Sequence, residues 1–256
     1  MNEWRQKSFN KTDKRIEVAR RRVFLILIGG PGLYNSEDTE HDTVWYSYIQ
    51  PIFSAIKTNN LGTDAEDVHI CLVTPPYADR WADDVANERS VSIVEGAKNY
   101  VDHVRIKCSG YDKSNKGYSV KYYQISTGAD FWAHLGSLPD ATVTRVWYFG
   151  HAKKDLWFRI RRWFGLTFSP SDDETVEISD ISAHAAHASK FVKKSGLSSK
   201  FYGCNTVDFA QKWANTFGVT AEGARGRISF ATPGFKEIES SAKQEGGQWV
   251  VCKPAS

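Results

Sequence analysis

Apolar residues in this chain gather in short unbroken runs, and between the runs they recur every three or four positions. The five strongest runs are RVFLILI (22–28), VHICLVT (68–74), SVKYYQI (119–125), TRVWYFG (144–150) and KFYGC (200–204). All are rich in β-branched and aromatic residues and lack clean polar alternation, the pattern of strands covered on both faces. RISFAT (227–232) is a shorter sixth candidate, VRIKC (104–108) an extra one ahead of SVKYYQI, and QWVVCK (248–253) reads as an edge strand. Helical spacing fills the gaps at 44–56, 90–104, 129–135, 181–193 and 207–217. In the last of these, Phe209, Trp213 and Phe217 form one apolar stripe suited to a sheet, and Gly218 follows as a C-cap. Strands alternating with helices predict an α/β three-layer sandwich around a central, mostly parallel sheet, with chemistry at the carboxyl ends of its strands.

A chain of 256 residues accommodates one large domain, and no Pro/Gly/Ser linker divides it. We therefore expect a basic N-terminal arm over 1–21 and a single domain over 22–256. The hydrophobic fraction of 41% includes no apolar run near the roughly 18 residues of a membrane span, so no integral membrane association is expected. The N-terminus is basic but lacks the apolar core of a secretory signal, which points to a cytoplasmic location. The four cysteines, Cys71, Cys108, Cys204 and Cys252, show no CxxC pairing, and reduced thiols are expected. A formal charge of +3 does not call for nucleic acid, and Arg20, Arg21 and Arg22 read as the end of a solvated lead-in.

Two strand ends carry candidate chemistry. VWYFGHA (146–152) runs into His151 and FYGCNT (201–206) runs into Cys204, each just after a glycine, Gly150 and Gly203. If both strands lie parallel in one sheet, the imidazole and the thiol emerge at the same edge. A free thiol, with a pKa of about 8.5, is a poor nucleophile at neutral pH until a nearby imidazole favours its thiolate. His151 would do that and then protonate the leaving amine. The backbone amides of Cys204 and Ala152 are the expected oxyanion donors.

An apolar strand ending in His, a connecting helix, an apolar strand ending in Cys, then a further helix and strand together resemble the caspase-like cysteine peptidases. That group includes caspases, gingipains, legumains and clostripain. FYGCNTVDFAQKWANTFGVTAEGARGRISFA is similar to the end of bacterial caspase-like domains. The resemblance covers 22–232 in topology and implies Cys204 as nucleophile, His151 as general acid/base, and the amides of Cys204 and Ala152 as the oxyanion hole. It departs at Ala152, where most members carry Gly directly after the catalytic His.

Other motifs change the picture less. The turn GGPGLY (29–34) lacks the GK[ST] of a P-loop, so no nucleotide cofactor is expected. In the caspase-like reading it joins the substrate pocket, and Glu37, Asp38, Glu40 and Asp42 favour a basic side chain at the scissile residue. Residues 153–180 form an insert, read as a surface hairpin or an active-site flap. Its stretch LWFRIRRWF mixes Trp157, Phe158, Trp163 and Phe164 with arginines; packing beneath the flap is expected over contact with a membrane surface. His184 and His187 share a helix face without a third ligand, and no metal is expected. Cys71 and Cys252 read as packing residues, and His41, His69, His103 and His134 as structural or solvated.

The expected activity is hydrolysis of protein or peptide amide bonds through the Cys204/His151 dyad. A bacterial effector delivered by a specialised secretion system, with an inhibitor or immunity partner, fits this picture, and so does a housekeeping cytoplasmic enzyme. The alternatives are a caspase-like binding or scaffolding module that has lost catalysis, and another thiol enzyme, a deamidase or acyltransferase.

Overall fold

A computed structural model of the chain describes residues 21–36, 43–57, 66–112, 119–155, 162–167, 175–193, 196–230 and 248–255. Its strands are β1 (Arg22–Ile28), β2 (Glu66–Val73), β3 (Val120–Ile125), β4 (Val143–Phe149), β5 (His151–Asp155), β6 (Arg162–Thr167), β7 (Thr175–Glu177), β8 (Ser199–Tyr202), β9 (Ala221–Arg225) and β10 (Gln248–Cys252). Seven of them form one sheet in the order β10-β9-β8-β4-β1-β2-β3. Every neighbouring pair in it is parallel except β10 with β9. β5, β6 and β7 make a separate antiparallel sheet.

β1 shows why its run has no polar alternation. Successive side chains point to opposite faces, and both faces are covered. Phe24, Ile26 and Ile28 enter one core cluster, with Ile52 and Phe53 of α1 (Gln50–Lys57), Tyr77 of α2 (Thr74–Ala86) and Tyr100 and Val104 of α3 (Tyr100–Asp112). Leu25 and Leu27 enter the other. There they meet Phe131 and Leu135 of α4 (Gly128–Ser137), Ile181 of α5 (Ile178–Ala183) and the Phe209, Trp213 and Phe217 stripe of α6 (Val207–Phe217). Burying each such side chain contributes about 1.5–3 kcal/mol. The result is the expected α/β arrangement of a mostly parallel sheet with helices on both faces.

At the opposite end of the sheet from His151 and Cys204, Arg145 of β4 donates to both carboxylate oxygens of Glu66, at 3.2 and 2.9 Å. Both side chains are almost fully buried. The guanidinium also lies 3.9 Å over the Phe24 ring, which satisfies its apolar faces.

Several elements differ from the expectations. VRIKC is helix, not strand: Val104 and Cys108 are buried on α3, four residues apart, facing one core cluster. The helix expected over 90–104 begins only at Tyr100, and the one expected over 44–56 begins at Gln50 after a series of turns. α2 was not among the expected helices; Pro75 and Pro76 lie in its first turn, where a missing N–H costs nothing. RISFAT supplies no strand within its described residues, 227–230. The strand beside β8 is instead AEGAR, β9, a sequence poor in β-formers. Its Gly223 explains the choice, since a Cβ there would lie 2.5 Å from the Thr206 carbonyl oxygen at the start of α6.

The expected insert contains the β5–β6–β7 sheet. Residues 162–167 of it are strand, so LWFRIRRWF is not one helix, and its residues 156–161 lie outside the described residues. So do Glu37, Asp38, Glu40, His41 and Asp42, and the arm up to residue 20. Among the described residues, no helix is long and apolar enough to cross a membrane.

Candidate active site

β4 and β8 are parallel neighbours with Trp147 opposite Lys200, Tyr148 opposite Phe201 and Phe149 opposite Tyr202. The pairing runs one bond further, where the Gly150 amide donates to the Tyr202 carbonyl at 3.1 Å. The ladder ends there: the Gly203 amide turns back to the Phe201 carbonyl at 3.0 Å, Cys204 sits in the turn that follows, and His151 opens β5 of the second sheet. The two glycines are what allow the approach: a Cβ on Gly203 would lie 3.1 Å from the Gly150 carbonyl oxygen and 3.4 Å from the Ala152 Cβ. Gly150 has φ 158°, and a Cβ on it would lie 2.8 Å from Cζ of Tyr148 and 3.2 Å from the Gly29 Cα. His151 and Cys204 thus leave adjacent strands at the carboxyl edge of the sheet, both half-buried.

The imidazole is held by tyrosines that no motif had marked. The Tyr48 hydroxyl lies 2.6 Å from His151 Nε2, and the two rings meet edge to face. Tyr48 is itself fully buried and packed on Phe230. Beneath it, the Tyr148 hydroxyl donates to the His151 carbonyl oxygen at 2.5 Å. Burial, with Tyr77 and Cys204 as neighbours, pushes the Tyr148 phenol well above its ordinary value, so it stays a neutral donor.

The cysteine sits in a turn stapled from both sides. Asn205, in the left-handed region at φ 53°, donates its amide to the Gly226 carbonyl and accepts from the Gly226 amide through Oδ1. A short polar side chain tolerates that conformation by bonding locally. Thr206 Oγ1 donates to the Phe201 and Gly203 carbonyls and accepts from the Ala224 amide. Cys204 Sγ in turn accepts from the Ile228 amide at 3.4 Å. Among the described residues the Cys204 amide makes no hydrogen bond, as an oxyanion donor requires. Ala152 differs from expectation, lying inside β5 opposite Leu166 rather than in a loop past a strand end.

The GGPGLY turn at the same edge is clasped by α2. Tyr77 donates to the Gly29 carbonyl at 3.0 Å, and the Arg80 guanidinium reaches the carbonyls of Gly32 and Thr43 at 3.3 Å each. Arg80 is buried and paired with Asp84, which also accepts from Tyr100 at 2.6 Å and from Arg89 at 2.9 Å. The Tyr34 ring lies against the guanidinium of Arg89 at 4.3 Å. This network fixes where the chain enters the acidic segment that follows.

The remaining candidates pack against their surroundings. Cys71, Cys108 and Cys252 are buried, and burial pushes the Cys108 thiol up to about 12. His184 stacks on Trp132 at 4.3 Å and His187 lies against Gly136, both half-buried rather than on an open helix face. Among the described residues, no group of three or more His, Cys, Asp or Glu is placed to hold a metal ion.

Comparison with protein-family models finds no matching family, and comparison with curated proteins finds no matching sequence.

Proposed function

We propose that this chain is a caspase-like thiol hydrolase that cleaves peptide amide bonds through Cys204 and His151. The observation that carries the reading is that His151 and Cys204 each follow, one glycine on, the carboxyl end of two neighbouring parallel strands, β4 and β8, with the Tyr48 hydroxyl on His151 Nε2.

With the Tyr48 hydroxyl accepting from Nε2–H, Nδ1 is the nitrogen that takes the thiol proton. The thiolate then attacks the scissile carbonyl carbon, and the carbonyl π electrons move to its oxygen. The Cys204 amide is the donor assigned to that developing oxyanion. Collapse of the tetrahedral species breaks the C–N bond as His151 returns the proton to the leaving amine. Water, deprotonated by the same imidazole, hydrolyses the thioester and regenerates the thiol. In sequence, Glu37, Asp38 and Asp42 follow the clasped turn, and the reading assigns to them a preference for a basic residue on the acyl side of the bond. A deamidase or acyltransferase would use the same steps with a different amine or acceptor.

One observation favours the binding-module alternative. Cys204 Sγ is engaged by the Ile228 amide, a contact that suits a packed thiol as well as a stabilised thiolate. The experiment that separates them uses peptidyl acyloxymethyl ketones ending in Lys, Leu or Asp, with mass spectrometry of the adduct. The reading expects covalent capture on Cys204, strongest with Lys and absent in His151→Ala. Failure of all three to modify Cys204 would leave the module reading.

A further inference from the structure

A cavity of about 470 Å³ opens between α1 and α3. Tyr46, Phe53 and Tyr111 give it aromatic walls, and Lys57 and Lys107 are the charged residues of its lining. Among the described residues no carboxylate lines it and neither lysine forms an ion pair. The size is that of a small-ligand site.

His103 in the same lining is fixed as a neutral donor. Its Nδ1 accepts from the Val94 amide at 3.1 Å, so the ring proton sits on Nε2. Burial first, and Lys107 second, hold its pKa down to about 4, so it stays neutral at physiological pH. Ser54, Ser92 and Gln50 add further polar groups to the wall. Two ammonium groups match a dianion rather than a singly charged carboxylate, and a phosphate monoester carries close to two negative charges at pH 7. Phe53 and Tyr111, stacked at 5.6 Å, offer an apolar surface beside the cations for a planar group.

From these residues we infer that the α1/α3 cavity binds a small phosphate monoester carrying a planar ring, its phosphate on Lys57 and Lys107 and its ring along the Phe53 and Tyr111 wall. Its lining includes neither Cys204 nor His151 nor Tyr48.

Titration calorimetry of the full chain with AMP, adenosine and inorganic phosphate tests this, alongside Lys57→Gln and Lys107→Gln. Both lysines project from helix surfaces, so these variants should melt as the parent does. The expected result is saturable AMP binding, with adenosine weaker by about tenfold or more and each Gln variant weaker by about tenfold. Inorganic phosphate alone should also bind more weakly than AMP. The inference is overturned if AMP fails to bind, if adenosine binds equally well, or if neither substitution affects AMP.

Discussion

The Tyr48 hydroxyl stands 2.6 Å from Nε2 of His151, although the two residues are 103 positions apart in the chain. Tyr48 precedes α1 and belongs to the core, so its hydroxyl is a fixed point against which the imidazole is set. Positioning of this kind predicts a defined effect. Tyr48→Phe keeps the ring and its packing on Phe230 but removes the contact. Alkylation of Cys204 near neutral pH should slow by about tenfold while the melting temperature changes little. An unchanged rate would make Tyr48 a packing residue only.

Gly150 is constrained from two sides, by its φ of 158° and by the Tyr148 ring and Gly29 backbone that a Cβ would meet. Gly150→Ala should cost about 2–4 kcal/mol in urea unfolding. Adding Tyr148→Phe should recover part of that loss by removing the nearest clash. If Gly150→Ala unfolds as the parent does, the tight junction between β4 and β5 is not as described.

The buried Glu66–Arg145 pair makes a test of stability independent of the site. Glu66→Gln leaves the guanidinium buried without its counter-charge and should destabilise by about 3–5 kcal/mol. Replacing both residues with Met should restore most of the stability, because neither charge then has to be desolvated. Equal losses in the single and double variants would contradict this.

His69 sets a pH window. Burial first, then His134 and Lys121, lower its pKa from 6.5 to about 4, with Asp67 opposing. Its Nδ1 lies 3.3 Å from His134 Nε2, and Nε2 has no hydrogen-bond partner. Between those values the unfolded chain binds a proton that the folded chain does not. Stability is therefore full above pH 6.5 and falls as the pH drops towards about 4, by about 2 kcal/mol for this residue. The lowered carboxylates, Asp67, Asp83, Asp102 and Asp130, start from 3.8 and act below that window. Urea midpoints between pH 7 and 4.5 should slope less in His69→Gln, and an identical slope would place the proton uptake elsewhere.

Much of the architecture was legible where local pattern and tertiary environment agree. The RVFLILI run coincides with β1 because both sheet faces bury it, and the stripe of Phe209, Trp213 and Phe217 coincides with the buried face of α6. That β4 and β8 lie parallel in one sheet was legible for the same reason, and as neighbours they end at the same edge. β9 was not, because AEGAR is a strand chosen by the space that Gly223 leaves for Thr206 rather than by its own propensity. Nor were Tyr48 or the Arg80–Asp84 clasp, whose partners lie far away in sequence and whose types carry no signature until the fold brings them together.

The most direct test of the central claim is alkylation of Cys204 by a thiol-reactive electrophile, followed by mass spectrometry across pH, in the parent and in His151→Ala. Selectivity alone is not sufficient, because Cys71, Cys108 and Cys252 are shielded by burial and Cys204 is not. The account predicts rapid Cys204 labelling at about pH 6, where an ordinary thiol is scarcely ionised, slowed by about a hundredfold in His151→Ala. Labelling of Cys204 that follows an ordinary thiol's pH dependence in both proteins would contradict it.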